Sequence, residues 1–291
     1  MAVGTTITGS LADSLDAIVA SARSRREYDG VVPQLVERQT LDQNTGLSWK
    51  EALFEKLAVQ AVTESSDNEN YQQFVDSAFT ITPSMYQIVT CITDKVERNL
   101  NRKSLSQMGK LAGQAMMRNQ DEQGLTAMDG STTQLGAAGA TVTSNLITAA
   151  RYRISSNATE KGMPPYNAVF HGYILKSLAN ELTASVGSAE VTSGITADVL
   201  KSGFKLPISG VNIHEDGNVA IDSSDDAKGF VFARDAWVLV QGLRMKTETQ
   251  RKPGLGGGAN LLYITEEHAY GERSAGNWSY EIVGDAAVPT S

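Results

Sequence analysis

The feature that most constrains this sequence is one long stretch with the apolar period of an α-helix. Apolar or small side chains hold a single face of it, at Leu105, Met108, Leu111, Ala112, Ala115 and Met116. The capping-box spacing from Ser104 to Gln107 marks its start and Gly130 its end. At about 1.5 Å per residue, residues 101–128 predict a helix about 40 Å long. With one apolar face, such a helix is a spine along a core.

Two extended segments precede this helix and flank a polar tract, ESSDNEN at 64–70. Residues 49–62 begin with a helical apolar pattern and then become strand-like. Residues 74–92 are rich in the β-branched and aromatic residues that favour strands. Because the tract between them consists of turn formers, the pattern predicts a long hairpin whose return is interrupted at Pro83. Thr93 and Asp94 can cap a short helix ahead of the spine.

After the spine, the Gly/Ser/Thr/Ala-rich residues 131–141 mark a boundary between two lobes. An α/β alternation follows, with a helix predicted at 143–155, a strand at 166–170 and a helix at 172–185. Residues 211–221 predict a hairpin, because Asp216-Gly217 is a typical two-residue type I′ turn.

The last third of the chain is rich in predicted strands, starting at 229–240. Residues 243–250 alternate apolar or Thr side chains with charged ones, which predicts a strand with one wet face. Residues 251–258 form a loop, 259–272 a second strand, and 278–291 close the chain. At the other end, residues 1–46 carry only a weak amphipathic run at 11–22, so we expect an extended arm.

Composition excludes several classes of protein. The chain has 41% hydrophobic and 20% charged residues, as a globular protein does. Its most apolar run, 230–240, is interrupted by Arg234 and Asp235, so no transmembrane span is predicted. The first thirty residues lack the features of a signal peptide. Cys91 is the only cysteine, so no internal disulfide can form, and its apolar neighbours predict a small core residue.

Charge is unevenly distributed along the chain. The formal net charge is −8, yet residues 94–118 carry a net +4. This polarity suits a protein with one basic and one acidic face. A helix with an ordinary solvated stripe is an equally good interpretation of the same residues.

The glycine run at 254–258 could suggest a phosphate-binding loop. A P-loop, however, requires Lys-Ser/Thr after its last glycine and a helix beyond it, whereas Ala259-Asn260 and a predicted strand follow here. We therefore predict a hairpin loop.

Histidines and carboxylates do not form a recognisable metal site either. His171, His214 and His268 are far apart, and none has a second histidine at ligand spacing. We predict a polar strand edge at 266–268 and a solvated turn at 222–226, since the latter lacks the glycine and distal Glu of a calcium loop. No catalytic, cofactor-binding or metal residues are predicted, and we expect a protein that is not an enzyme.

Three blocks of sequence carry a family resemblance. They are TITPSMYQIVTCITDKVERN before the spine, RNQDEQGLTAMDG at its end, and the C-terminal block from GFVFARDAWVLV through AYGERSAGNWSYEIVGDAAVPT. Together they resemble the major capsid protein of tailed bacteriophages, which has the HK97-type α+β fold. The resemblance implies an N-terminal arm at 1–45, an E-loop at 46–82, a P-domain formed by the spine at 83–135 with 235–291, and an α/β A-domain at 136–234.

This resemblance implies a structural protein that assembles with itself, as hexamers and pentamers, into an icosahedral head around double-stranded DNA. It also implies localisation in the virion after assembly in the host cytoplasm, without cofactor or membrane. Further implied partners are a separate scaffolding protein, a portal and an optional decoration protein. A nanocompartment shell of the same fold is the first alternative, and a soluble enzyme with a site in the α/β lobe is the second. No residue pair indicates a covalent crosslink.

Charged residues suggest three contact sets. The acidic E-loop tip, Glu64, Asp67 and Glu69, requires cations elsewhere in the shell. The candidates in the P-domain are Arg244, Lys246, Arg251 and Lys252, with loop 251–258 near the local three-fold axes. Lys103, Lys110 and Arg118 are expected to face the lumen and contact DNA phosphates without reading sequence. The alternative is that these three pair with acidic groups of neighbouring subunits.

Overall fold

The computed structural model describes residues 30–42, 46–62, 64, 71–99, 102–130, 133–185, 207–255, 257–274 and 276–289. The predicted arm helix at 11–22 and the tip residues Asp67 and Glu69 lie outside these ranges. The α-helices of the described residues are α1 (Val32–Leu35), α2 (Asp94–Asn99), α3 (Arg102–Asp129), α4 (Ser144–Ser155) and α5 (Gly172–Ser185).

Eleven strands complete the described part of the chain. They are β1 (Glu37–Thr40), β2 (Trp49–Phe54), β3 (Asp76–Ile81), β4 (Ser84–Thr93), β5 (Gln134–Gly136), β6 (Tyr166–Phe170), β7 (Val211–Glu215), β8 (Asp226–Ala233), β9 (Trp237–Lys252), β10 (Ala259–Glu272) and β11 (Ser279–Asp285). The helix α3 is the predicted spine, and its predicted bounds are confirmed to within one residue.

The first lobe is a four-stranded sheet in the order β1-β9-β10-β4, with the spine across it. Its centre is the long antiparallel hairpin of β9 and β10. Ala112 and Met116 of the spine pack on Ile264 of β10, with Tyr86 and Ile88 of β4 beside them. In the part of the spine whose side chains the structure describes, Ala112 and Met116 of the predicted apolar stripe therefore face the sheet.

The second lobe is a five-stranded sheet in the order β5-β11-β8-β6-β7. Strand β6 is buried along its whole length, and its Phe170 packs in the main core with Phe232, Ile147, Ile174 and Leu178. The final strand, β11, lies in this sheet between β5 and β8. The chain thus returns at its end to the α/β lobe rather than to the spine's own sheet.

The start of the E-loop differs from its predicted helical character. Residues 49–54 are a strand from the outset, paired antiparallel with β3 from Trp49–Ile81 to Phe54–Asp76. The alternate residues Trp49 and Glu51 bind Phe79 and Arg273. These cross-strand contacts override the local helical pattern, and they confirm the predicted long hairpin.

The predicted hairpin at 211–221 is wrong. Strand β7 pairs in parallel with β6, and Ile221 makes only an isolated bridge to Ala227. The Asp216 side chain accepts a hydrogen bond from the amide of Asn218 (2.9 Å). This Asx turn replaces the type I′ turn and directs the chain away from β7.

Two further segments differ from expectation. Residues 30–42, placed in the arm, belong to the fold, because Val32 and Val36 are buried and β1 pairs with β9. The part of β9 beyond Leu243 is exposed on both faces, not on one. No other element of the described chain covers its second face.

Candidate interaction surfaces

The described residues contain shallow clefts and no metal centre. No three His, Cys, Asp or Glu side chains among them are disposed to hold a metal ion, and none of their helices is long and apolar enough to cross a membrane. One cleft of about 470 Å³ lies beside Lys56 and the loop 155–163, and another of about 320 Å³ lies along the spine. The loop predicted at 251–258 is the turn of the β9–β10 hairpin, although Arg251 and Lys252 still belong to β9. Cys91 is buried as a small core residue.

The E-loop hairpin, β2 with β3 and the chain between them, carries an unusual density of exposed apolar side chains. They are Leu53, Phe54, Leu57, Val59, Val62, Tyr71, Phe74 and Val75. The side chain of Val59 is fully exposed and that of Phe74 is 71% exposed. Monomeric proteins rarely leave such groups in water, so this hairpin has the chemistry of a binding surface.

The base of this hairpin is fastened to the rest of the subunit. Arg273, which follows β10, binds the carboxylates of Glu37 and Glu51, the latter at 2.8 Å from Nε, and donates to the carbonyl of Asp235 at 3.1 Å. The hydrogen bond from Arg273 lowers the pKa of Glu37. Trp49 contacts Phe79 edge-on, with ring centroids 6.2 Å apart. The hairpin therefore projects from a well-ordered root.

Two of the four predicted P-domain cations are already engaged within their own chain. The Arg251 guanidinium forms a bidentate pair with Asp94 of α2 and also donates to Asn260 Oδ1 at 3.2 Å. Asn260 in turn donates to Glu97 at 2.8 Å. Lys246 pairs with Glu248 at 2.5 Å. The structure brings Arg251 to α2, a role that sequence reasoning missed because the partner is 157 residues away.

Of the remaining predicted contact residues, those whose side chains the structure describes are exposed or partly exposed. Arg244 and Lys252 are exposed on the far part of β9, and Glu64 is exposed at the E-loop tip. Lys110 is exposed on the spine, where Arg118 lies 3.3 Å from Glu122, one turn further along the same helix. Lys103 falls near the start of this helix. The sets are therefore not brought together within one subunit.

A buried polar row lies between the spine and β10, where the sequence predicted a polar edge. Residues at alternate positions of a strand share a face, so Glu266 and His268 both point at the spine and are buried. Gln120 donates to Glu266 at 2.9 Å, and the His268 ring stacks on Tyr86 at 4.7 Å. The edge prediction is wrong because the spine covers this face of the strand.

Burial controls the charge of this row. It lowers the pKa of His268 to about 4 and raises the pKa of Glu266. His268 Nδ1 lies 3.5 Å from Glu266 Oε1. The imidazole is therefore neutral at neutral pH, and its ring acts as a packing element between Tyr86 and the spine.

A second buried cluster joins the spine to the A-domain. Asp121 of the spine and Asp216, which follows β7, are both fully buried. Asn218 donates to both carboxyl groups, at 2.9 Å each. Sequence reasoning missed this cluster, and its only local signal was a polar residue within the apolar face of a helix.

Comparison with solved structures identifies the fold. Over 97% of this chain and 96% of the other, the structure matches the capsid of the cyanophage P-SCSP1u with a TM-score of 0.70 and 14% sequence identity. It matches the capsid of the cyanophage Pam1 over 99% and 100% of the two chains (TM-score 0.70, 12% identity). It also matches the head of the Helicobacter pylori phage KHP40 over 91% and 94% (TM-score 0.70, 11% identity).

These likenesses show that the chain has the α+β fold of phage capsid proteins, as the HK97-type resemblance predicted. No protein-family model matches the sequence, and no curated protein matches it. Chains with identities of this order share their backbone architecture and little of their sequence. What the shared fold implies for activity is therefore a matter for proposal.

Proposed function

We propose that the protein is the structural major capsid protein of a tailed bacteriophage. Copies of it assemble as hexamers and pentamers into an icosahedral head, located in the virion, that encloses double-stranded DNA. The observation that carries this proposal is the match to several phage capsids along nearly the whole chain, projecting hairpin included. A structural rather than enzymatic role fits a molecule whose E-loop hairpin exposes many apolar side chains to solvent.

The E-loop supports self-association on energetic grounds. Burying one of its large apolar side chains is worth about 1.5–3 kcal/mol, and eight of them are exposed in the isolated subunit. Because every copy carries the same E-loop hairpin, its contact with the next copy repeats around a closed shell. In this proposal the E-loop lies across a neighbouring subunit.

We expect ion pairs between the E-loop tip of one subunit and basic residues of the next to fix how the two subunits are aligned. The acidic tip, Glu64 with Asp67 and Glu69, would meet P-domain cations of a neighbour. Since Arg251 is held by Asp94, Lys252 and Arg244 are the better candidates, with Lys246 available if it leaves Glu248. Each exposed pair contributes only about 0.2–1 kcal/mol, which favours a role in specificity over strength. The glycine-rich tip at 253–258 would approach its symmetry mates near the local three-fold axes.

Packaged DNA would lie against the spine surface. Lys103, Lys110 and Arg118 provide positive charge there for sequence-independent phosphate contact. Because Arg118 forms an ion pair with Glu122, the two lysines would contribute most to phosphate binding. Assembly in the host cytoplasm with a separate scaffolding protein, a portal and an optional decoration protein completes the proposal.

Electron microscopy of the purified, expressed protein tests this function. We expect closed icosahedral or tubular shells built from hexameric units. A monodisperse monomer with catalytic turnover would contradict the proposal and favour an enzyme. Small shells that package an enzyme and never nucleic acid would instead identify a nanocompartment, the alternative that the capsid matches do not favour.

A further inference from the structure

Two buried carboxyl groups meet where three segments of the chain converge. Asp121 Oδ1 accepts a hydrogen bond from the amide of Val32 at 3.0 Å, and Asp216 Oδ2 accepts one from the amide of Val31 at 3.2 Å. The spine and the A-domain thus each hold one amide of the segment through which the N-terminal region enters the fold. Both carboxyl groups are fully buried.

The two carboxyl groups also share a hydrogen-bond donor. Asn218 bridges them, its side chain donating to Asp121 Oδ2 and its backbone amide to Asp216 Oδ1. An ionised carboxylate can only accept hydrogen bonds. A proton on Asp121 would relieve the repulsion between two buried carboxylates that one asparagine bridges, and it would let Asp121 donate as well as accept.

No positive charge compensates the pair among the residues that the structure describes. The N-terminal segment presents only amides, and the groups that face the cluster from β10 are Tyr270 and, further along the strand, Glu266 and His268. The pKa of Asp121 is shifted by burial and by its neighbours Asp216, Asn218 and Val32. Arg38 acts instead on the pKa of Tyr270. Burial and the nearby Asp216 raise the pKa of Asp121 to about 7.

Close packing makes the cluster sensitive to opening. A Cβ added at Gly30 would lie 2.0 Å from Asp121 Cγ, so the backbone of the incoming segment rests directly on the carboxyl group. Two buried, ionised carboxylates that one asparagine bridges repel each other, and burial without water disfavours both charges. The segment 30–32 is the part of the cluster that can move aside to admit it.

We propose that the Asp121–Asp216 pair is a pH-sensitive latch. With Asp121 protonated, the pair fastens residues 30–32 to the spine and to the second lobe, and when that proton is lost it releases them. The proposal concerns a conformational device of the single subunit and goes beyond its role in a shell. It predicts that the root of the N-terminal region loosens as the pH rises towards neutrality and stays loosened above it.

Hydrogen exchange of the full-length protein between pH 5 and 9 tests the latch. After correction for the intrinsic exchange rate at each pH, the protection of the Val31 and Val32 amides should fall about tenfold per pH unit up to about pH 7 and then level off, because opening releases one proton. The amide of Ala233, which donates to Trp278 within the core, should show no such slope.

Three substitutions sharpen the test. Asp121→Asn keeps an acceptor for Val32 and donates to Asp216 without titrating, so protection should no longer depend on pH. Asp285→Asn, a matched change at a partly exposed carboxylate, should leave the parent slope intact. Gly30→Ala should lower protection at every pH.

The parent's own pH profile decides the matter even if a variant fails to fold. Flat protection of Val31 and Val32 across this range would overturn the latch. An equal slope at all core amides would overturn it too, because the proton would then act on global unfolding.

Discussion

The structural roles of individual side chains in this subunit cannot be predicted from their local sequence. His268 is a neutral ring stacked between strands, and Arg273 is a cation that holds two carboxylates from distant segments. Both are placed by strand alternation in β10 and by the turn after it. Their effects can be measured in the unassembled subunit, where no neighbour contributes.

His268 predicts a specific loss of stability in acid. Its pKa is about 4 in the folded protein, against an ordinary value of 6.5, so the unfolded chain binds the proton more tightly. The stabilising contribution is complete above pH 6.5 and is lost as the pH falls towards 4, by on the order of 3 kcal/mol. His268→Phe should remove this loss, measured as the difference between parent and variant free energies of unfolding at each pH.

Comparing the two proteins cancels carboxylates that titrate in both. Glu266 acts in the opposite sense, because its raised pKa gives stability that is present below its unfolded value and disappears as the pH rises. If parent and His268→Phe lose stability in parallel between pH 6.5 and 4, the histidine is not the group responsible.

Arg273 predicts a loss at the E-loop base. Arg273→Ala leaves Glu37 and Glu51 side by side without their cation, which should lower the free energy of unfolding by about 1–3 kcal/mol. Urea denaturation measures it. Arg244→Ala, at an exposed position on β9, is the matched control and should change stability by less than about 0.5 kcal/mol. Equal effects of the two changes would contradict the clamp.

At the scale of elements, the E-loop hairpin and the long β9–β10 hairpin meet at Gly271. A Cβ there would lie 2.6 Å from Ile81 Cδ1 and 2.8 Å from Phe79 Cζ. The side chains of β3 thus pack directly on the backbone of β10, and this contact orients the projecting hairpin. Glycine is required at this position by close approach.

Gly271→Ala should therefore disturb the hairpin root. We expect a destabilisation of about 1–2 kcal/mol from overpacking and faster hydrogen exchange within β2 and β3. The control is Gly254→Ala in the β9–β10 tip, where an added Cβ meets no atom within 4 Å. Unchanged exchange in β2 and β3 of the Gly271 variant would show that this contact does not set the hairpin's position.

At the scale of the whole molecule, assembly should depend on apolar surface that the folded subunit does not use. Phe54→Asp with Val59→Asp places two charges on exposed E-loop positions, so folding should be retained while shells are lost. Val288→Asp, at a side chain that is 63% exposed in the C-terminal segment, is the control. If electron microscopy shows normal shells of the E-loop variant, the proposed contact between the E-loop and a neighbouring subunit is wrong.

Truncation can address the N-terminal region in the same assay. The cut belongs before Gly30, because Val32 and Val36 are core residues and β1 completes the first sheet. Removing residues 1–29 should leave a folded subunit defective in assembly. A cut at residue 40 would instead damage the core and confuse the two effects.

DNA retention is a separate property of the assembled shell. Lys103→Glu with Lys110→Glu should weaken the salt-sensitive association of DNA with shells while leaving their formation intact, since phosphate contacts depend on charge alone. Lys252→Glu on β9 is the control for a lost surface lysine. If assembly fails and DNA binding is unaffected, the spine lysines pair with neighbouring subunits instead.

Local periodicity alone determined much of this fold. The spine, strand 166–170, helix 172–185 and strand 259–272 were all predictable within a residue, because each has a period or run that one secondary structure alone satisfies. The long hairpin followed from two β-rich segments around a polar tract. The family resemblance then supplied the α+β fold that the capsid matches confirm.

Tertiary structure decided whatever depends on which distant segments meet. Strand β7 pairs with β6 rather than with its own sequel, and β11 returns to the second sheet, because cross-strand partners are chosen by packing and not by neighbouring residues. Glu266 and His268, predicted at a polar strand edge, are buried because the spine covers their face of β10. The Asp121–Asp216 pair, 95 positions apart in sequence, exists only because folding brings the spine against the second lobe, where burial raises the pKa of Asp121.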